Sequence, residues 1–171
     1  MGDYLKKLLL FIGIIISMLT ACSNDTSQSQ KIILTYPESV QETIMELPDD
    51  FRNKIIVPSK LPDIYSVIDF GYTSEPINDP NGNIILTDFI YAGKNSQLVL
   101  TTMYGNVSFA NEYGGGTITL DNGIEAKAGD FSLRWENKNG DFHELSLMVP
   151  PDTTEIEMTM DDLIEIANSM E

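Results

Sequence analysis

Hydrophobic and polar positions follow three different rhythms along this chain. Leu8 to Met18 (LLLFIGIIISM) is an unbroken apolar run, preceded by Lys6-Lys7 and followed by Leu19-Thr20-Ala21-Cys22. Ser23 to Gln30 (SNDTSQSQ) is polar, without any period. Beyond it, short apolar stretches alternate with turn residues until a helical period takes over near the end. Lys31 to Tyr36 (KIILTY) predicts a short strand. Pro37 to Leu47 predicts a small helix with Val40, Ile44 and Leu47 on one side and Pro48 past its end. Lys54 to Val57 predicts another short strand. Pro58-Ser59-Lys60-Leu61-Pro62 must be irregular or extended, because proline removes a donor and restricts the residue before it.

From there the period is mainly two. Ile64 to Thr73 is rich in β-branched and aromatic residues, and Pro76 to Asn83 (PINDPNGN) is a turn cluster. Ile84 to Tyr91 and Gln97 to Tyr104 predict strands joined across Gly93-Lys94-Asn95. Asn111 to Gly116 predicts a loop. Thr117 to Leu120 and Ile124 to Ala128 flank Asp121-Asn122-Gly123, whose Asn-Gly pair suits a tight hairpin.

The most constrained unit is Phe131 to Val149. Phe131, Leu133 and Trp135 share one face of the first strand, and His143, Leu145, Leu147 and Val149 share one face of the second. With Asn137 to Asp141 as the loop, Leu133 meets Leu145 and Phe131 meets Leu147. Arg134 then meets Glu144, and Ser132 meets Ser146, on the other face. A slip by one residue would break both sets of matches, so the pattern fixes the register. After it, Thr159 can cap a helix that Asp161 and Asp162 favour electrostatically at its start. Met160, Leu163, Ile164, Ala167 and Met170 form a stripe at helical spacing, with Asp162, Glu165 and Ser169 toward water. The expected architecture is α+β: a single antiparallel β-sheet of about six to eight strands, with a C-terminal helix at 159–171 packed on one face. One domain is expected over 31–171.

Charge narrows the partners. The 171 residues hold 10 Lys+Arg against 26 Asp+Glu, a net of -16. Phosphate backbones are bound by Lys and Arg that displace counterions, so this balance argues against nucleic acid. It equally disfavours adsorption to anionic lipid headgroups. Cys22 is the one cysteine, which excludes an internal disulfide, a CxxC redox motif and a multi-cysteine zinc site.

The position of that cysteine gives it meaning. The apolar run falls short of the roughly 20 residues a membrane-spanning helix needs. A basic pair, a short apolar run and small residues, in that order, make a secretory signal peptide. Leu19-Thr20-Ala21-Cys22 resembles the bacterial lipobox, which implies lipidation of the Cys22 thiol and cleavage just before it. The expected organisation is therefore a signal peptide at 1–21, a lipidated Cys22 with a flexible tether at 22–30, and the domain. Two or more acyl chains, at about 0.8 kcal/mol per buried methylene, hold a protein stably on a bilayer.

Candidate chemistry is sparse. His143 is the sole histidine; no second histidine pairs with it for a metal, no Ser-His-Asp set is legible, and packing beside Trp135 is its expected role. Asn78 to Asn83 lacks the ligand alternation and closing Glu of a calcium loop and reads as an Asx/Gly turn. Asp49-Asp50, Asp161-Asp162 and Glu155/Glu157 read as solvated faces and helix caps. Gly114-Gly115-Gly116 lacks the Lys-Ser/Thr of a phosphate loop. Met103, Met148, Met158, Met160 and Met170, with Trp135, are expected to fill the core rather than line an apolar groove. No catalytic residue, no metal site and no cofactor are expected.

Three stretches together resemble a known family: Pro58 to Pro62, Gly123 to Leu147 ending in LRWENKNGDFHELSL, and MDDLIEIANSME at the end. They resemble a small β-rich extracytoplasmic domain of unknown function found in bacterial lipoproteins and in anti-sigma-factor-like membrane proteins. The resemblance covers about residues 55–171 and extends distantly to the curved sheet of the lipoprotein-carrier and sigma-E-regulator sensor folds. Its matched positions are structural, and it implies no catalytic residue. The resulting expectation is a non-enzymatic binding or sensing lipoprotein on the extracytoplasmic side of a bacterial cell membrane. Its partners would be the membrane, through lipid on Cys22, and an envelope protein or acyl ligand on one sheet face. The alternatives are an accessory lipoprotein of an envelope complex and a carboxylate-dependent envelope hydrolase.

Overall fold

The structure is a computed structural model that describes residues 27–105 and 115–170. The apolar run, Cys22, and most of the loop expected at Asn111 to Gly116 lie outside the described residues. Seven strands form one antiparallel sheet: β1 (Ser66–Glu75), β2 (Asn83–Ala92), β3 (Gln97–Met103), β4 (Thr117–Thr119), β5 (Glu125–Ala128), β6 (Ser132–Glu136) and β7 (Phe142–Met148). Their order is β1-β2-β3-β7-β6-β5-β4. Two meanders, β1 to β3 and β4 to β7, thus meet along their last strands. Four helices accompany them among the described residues: α1 (Gln28–Ile33), α2 (Glu38–Met45), α3 (Asp49–Arg52) and α4 (Met160–Asn168). The fold is α+β, as the sequence pattern requires.

Rows of paired residues run across the sheet and explain which face closes. Phe89, Leu100, Leu145 and Leu133 lie side by side through successive strand pairs. Tyr91, Leu98 and Leu147 form the next row. All are buried, together with Val40 and Ile44 of α2 and Leu163, Ile166 and Ala167 of α4. The core therefore lies between this face and the helical layer. The register of the last hairpin is the expected one: Leu133 opposite Leu145, Arg134 opposite Glu144, Ser132 opposite Ser146. The Leu147 N–H donates to the Phe131 carbonyl at 2.8 Å. At the β4–β5 turn, Gly123 has φ +82°, a conformation open to glycine at little steric cost.

Two expected strands are not strands. Lys31 to Tyr36 belongs to α1 and the turn after it. The helix starts upstream, where the Ser27 hydroxyl accepts the Gln30 N–H, so Ile32 and Ile33 continue a nucleated helix despite their β-branching. Its docking is partly polar: the Ser29 hydroxyl accepts the Val57 N–H at 3.2 Å, and Gln30 Nε2 donates to the Arg52 carbonyl at 2.5 Å. Gln28, Ser29 and Gln30 thus belong to the folded body and not to the tether, which corrects the boundary expected at residue 30. Lys54 closes the turn after α3, its N–H donating to the Phe51 carbonyl at 2.8 Å, and Ile55 to Val57 do not join the sheet. Ile55 and Val57 are buried in the core, but the Val57 N–H is satisfied by a side chain instead of a neighbouring strand.

The remaining elements match with small shifts. α2 buries Val40 and Ile44, with Leu47 buried just past its end. α4 begins in a reciprocal capping box between Thr159 and Asp162 and ends at Asn168, short of the expected 171; Glu171 is outside the described residues. Its inward stripe is Leu163, Ile166, Ala167 and Met170, while Met160 and Ile164 are half-buried. Ile166, outside the expected stripe, is buried, so the inward face is centred closer to it than the sequence spacing suggests. No described helix is long and apolar enough to cross a membrane.

Candidate functional site

Buried chemistry is concentrated at His143, on the core face of β7. The ring is 2% exposed and lies 5.3 Å from the Trp135 ring, centroid to centroid. Nδ1 is 3.0 Å from the Thr102 hydroxyl, and Nε2 is 3.0 Å from Asn137 Nδ2. Asn137 Oδ1 accepts the N–H groups of Asn139 and Asp141, which turns its amide nitrogen toward the ring. Nε2 is therefore an acceptor, and the proton sits on Nδ1, donated to Thr102. Burial pushes the pKa of His143 down to about 4 against a weak opposing pull from Asp141. Both ring nitrogens are engaged in structural bonds and the ring is screened from solvent, so the packing role expected of this histidine is the one it plays.

A second polar knot ties the β2–β3 turn to the segment before α4. Glu157 Oε2 accepts the N–H groups of Lys94 and Asn95 at 3.1 and 3.2 Å. The Tyr65 hydroxyl bonds the Ser96 hydroxyl behind it. Gly93 sits against both: a Cβ there would lie 2.8 Å from two Tyr65 ring atoms and 3.1 Å from Glu157 Oε2. Because Tyr65 is buried and anchored at its hydroxyl, it has little freedom to yield. Gly93→Ala should cost about 1–3 kcal/mol of stability, read as a lowered thermal midpoint. Gly71→Ala, with nothing within 4 Å of its Cβ, is the control; equal midpoints for the two variants would refute the clash.

Three of the acidic residues flagged by sequence make local bonds. Asp49 pairs with Arg52, Asp162 completes the α4 capping box, and Glu157 holds the turn just described. The Asp79 carboxylate accepts the Asn81 N–H at 2.9 Å, an Asx turn, and Asn78 before it has φ +63°. Among the described residues, no group of three or more His, Cys, Asp or Glu side chains is placed to hold a metal ion. Met158 and Met170 are buried with Trp135, whereas Met148 is exposed. Met103 and Met160 are half-buried, so only two of the five methionines fill the core as expected.

Two further surfaces bear on binding. The sheet face opposite the core carries a polar row, Asp88, Thr101, Glu144, Arg134 and Lys127, paired strand to strand. Thr101 donates to Asp88 at 2.5 Å, and Arg134 contacts Glu144 at 3.1 Å. Ile90, Val99, Leu86 and Met103 flank that row, all partly buried. The second surface is a cleft of about 530 Å³ where Gln28 meets Lys60, Asp121, Asp161, Glu165 and Asn168. No family model, no curated protein and no solved structure matches the chain. Sequence reasoning missed this second surface because it depends on where α1 begins; the Ser27-x-x-Gln30 spacing of a capping box was the available signal.

Proposed function

We propose that this chain is a membrane-anchored extracytoplasmic lipoprotein, and that its folded body is a non-enzymatic binding or sensing module. The observation that carries the proposal is Cys22 itself. The single thiol of the chain stands at the end of Leu19-Thr20-Ala21-Cys22, after a basic pair and a short apolar run, and a packed body starts at Ser27. The sole histidine, buried and neutral with both nitrogens committed, supports a module without acid–base chemistry at that position. Of the two ligand classes, an envelope protein is favoured over an acyl chain. The space between sheet and helices, where an acyl chain would lie, is occupied by Phe89, Tyr91, Leu98 and Leu145, each 2% exposed or less.

The test is metabolic labelling of the full chain with an alkyne fatty acid, followed by membrane fractionation. Wild-type protein should incorporate label and pellet with membranes. Cys22→Ser should incorporate none and should be released or remain unprocessed at higher mass. Equal labelling of the two proteins overturns the anchor. Crosslinking in intact cells, followed by capture of the lipidated form, then tests the binding module: a discrete envelope protein should be recovered with it.

A further inference from the structure

We infer that the anchor on Cys22 turns the helical layer of the body toward the bilayer and holds the open face of the sheet away from it. This rests on the proposed lipidation of Cys22. The chain is fixed to the body from Ser27 onward: Ser29 and Ile33 are each 4% exposed, and the Ser29–Val57 and Gln30–Arg52 bonds secure α1 at both sides. Five residue steps separate Cys22 from Ser27, which reach about 18 Å at full extension. A lipidated Cys22 lies in the headgroup region, so Ser27 stays within that distance of it.

The exit point lies on the outer side of α4, beside the β4–β5 turn to which Asp121 belongs. Gln28 lines the cleft with Asp161, Glu165 and Asn168 of α4. Leu163, Ile166 and Ala167 of the same helix point the other way, into the core. A helix with its side chains is about 10–12 Å thick, and the sheet lies beyond it. Crossing that thickness alone would use more than half of the tether's reach. Laying the open face on the bilayer would also require passing through the depth of the sheet at its β4 edge, which borders the cleft at Asp121. The tether is too short for both.

Charge modifies the distance but not the orientation. Asp121, Asp161 and Glu165 are exposed around the exit point, and Lys60 is already paired with Glu165 at 3.3 Å. Anionic headgroups repel such a surface, but at physiological salt the repulsion decays over about 8 Å, well within the reach of the tether. The body can stand off from the lipid without turning over.

The lipidated full chain has no free thiol, so a single introduced cysteine can be labelled selectively. Lys60→Cys and Asp161→Cys place a fluorophore on the helical side; Lys127→Cys and Met148→Cys place it on the open face. Each protein is reconstituted in phosphatidylcholine vesicles carrying a nitroxide headgroup lipid, and its lipid modification is verified by mass. The helical-side labels should be quenched several-fold more strongly than the open-face labels. Inserting about 20 Gly/Ser residues after Ser23, which span roughly 25 Å as a flexible coil, should abolish the difference. Equal or reversed quenching with the native tether overturns the orientation while leaving the lipoprotein reading intact. A difference that survives the insertion overturns the tether as its cause. Absence of lipid by mass overturns both proposals.

Discussion

Between pH 6.5 and pH 4, wild-type protein should lose about 3 kcal/mol of stability that a His143→Gln variant does not lose. The cause is the buried, neutral ring. In the unfolded chain His143 binds a proton near its ordinary pKa of 6.5; in the folded body it does so only near 4. Between those values the unfolded state holds more protons, so stability falls as pH falls. The contribution is fully present above pH 6.5 and fully lost below about pH 4. Protonation would also set an Nε2–H against the Asn137 amide protons and forfeit that bond. Glutamine removes the titration but keeps a polar group between Thr102 and Asn137. Carboxylates titrate in both proteins, so the useful quantity is the difference between them, measured by urea unfolding at pH 7, 5.5 and 4.5. A difference independent of pH would contradict the assignment. Direct titration of the ring Cε1–H by NMR should give a midpoint near 4.

The other large effect belongs to Leu145. It is 0% exposed and sits between Leu100 on β3 and Leu133 on β6, themselves 1% and 0% exposed. Leu145→Ala removes three carbons where backbone on both sides is held by ladder hydrogen bonds, so the cavity can collapse little. The expected cost is about 3–5 kcal/mol, comparable to the whole stability of many domains of this size. Chemical denaturation should show a much lower midpoint with an unchanged slope. Met148→Ala, three positions along the same strand and 56% exposed, should change stability by no more than about 0.5 kcal/mol. Similar losses for the two variants would mean that β7 does not bridge the core as described.

The parts legible in the sequence were those where two independent patterns agreed. In the β6–β7 hairpin, apolar and charged positions fit only one register, and the structure adopts it. Asn122-Gly123 and Thr159 marked a turn and a cap through local chemistry that needs no tertiary context. The failures share a different cause. Ile32, Ile33, Ile55 and Ile56 have strand-like side chains, but their segments meet hydroxyl and amide partners from elsewhere in the chain, which no local period can reveal. Ser29 illustrates this: a serine in a polar run, it is buried because its oxygen is the acceptor for Val57, 28 residues away. The polar character of that run suggested a tether reaching residue 30. The lipidation proposed at Cys22 rests on linear sequence alone. The surfaces that would meet a partner are products of strand order, and the adjacency of β3 and β7 is not written in any local pattern.

That adjacency also sets the order in which the molecule can fold. Within each meander, neighbouring strands are joined by short connections and can zip together early. The pairing of β3 with β7 instead joins residues such as Thr102 and His143, 41 apart in the chain, and must bear the loop-closure entropy that the hairpins avoid. The two meanders are thus expected to act as separate kinetic units whose docking limits the rate. Side chains within the hairpins, whose contacts precede docking, would govern how fast the body forms, while junction contacts completed after that step would mainly govern how fast it comes apart.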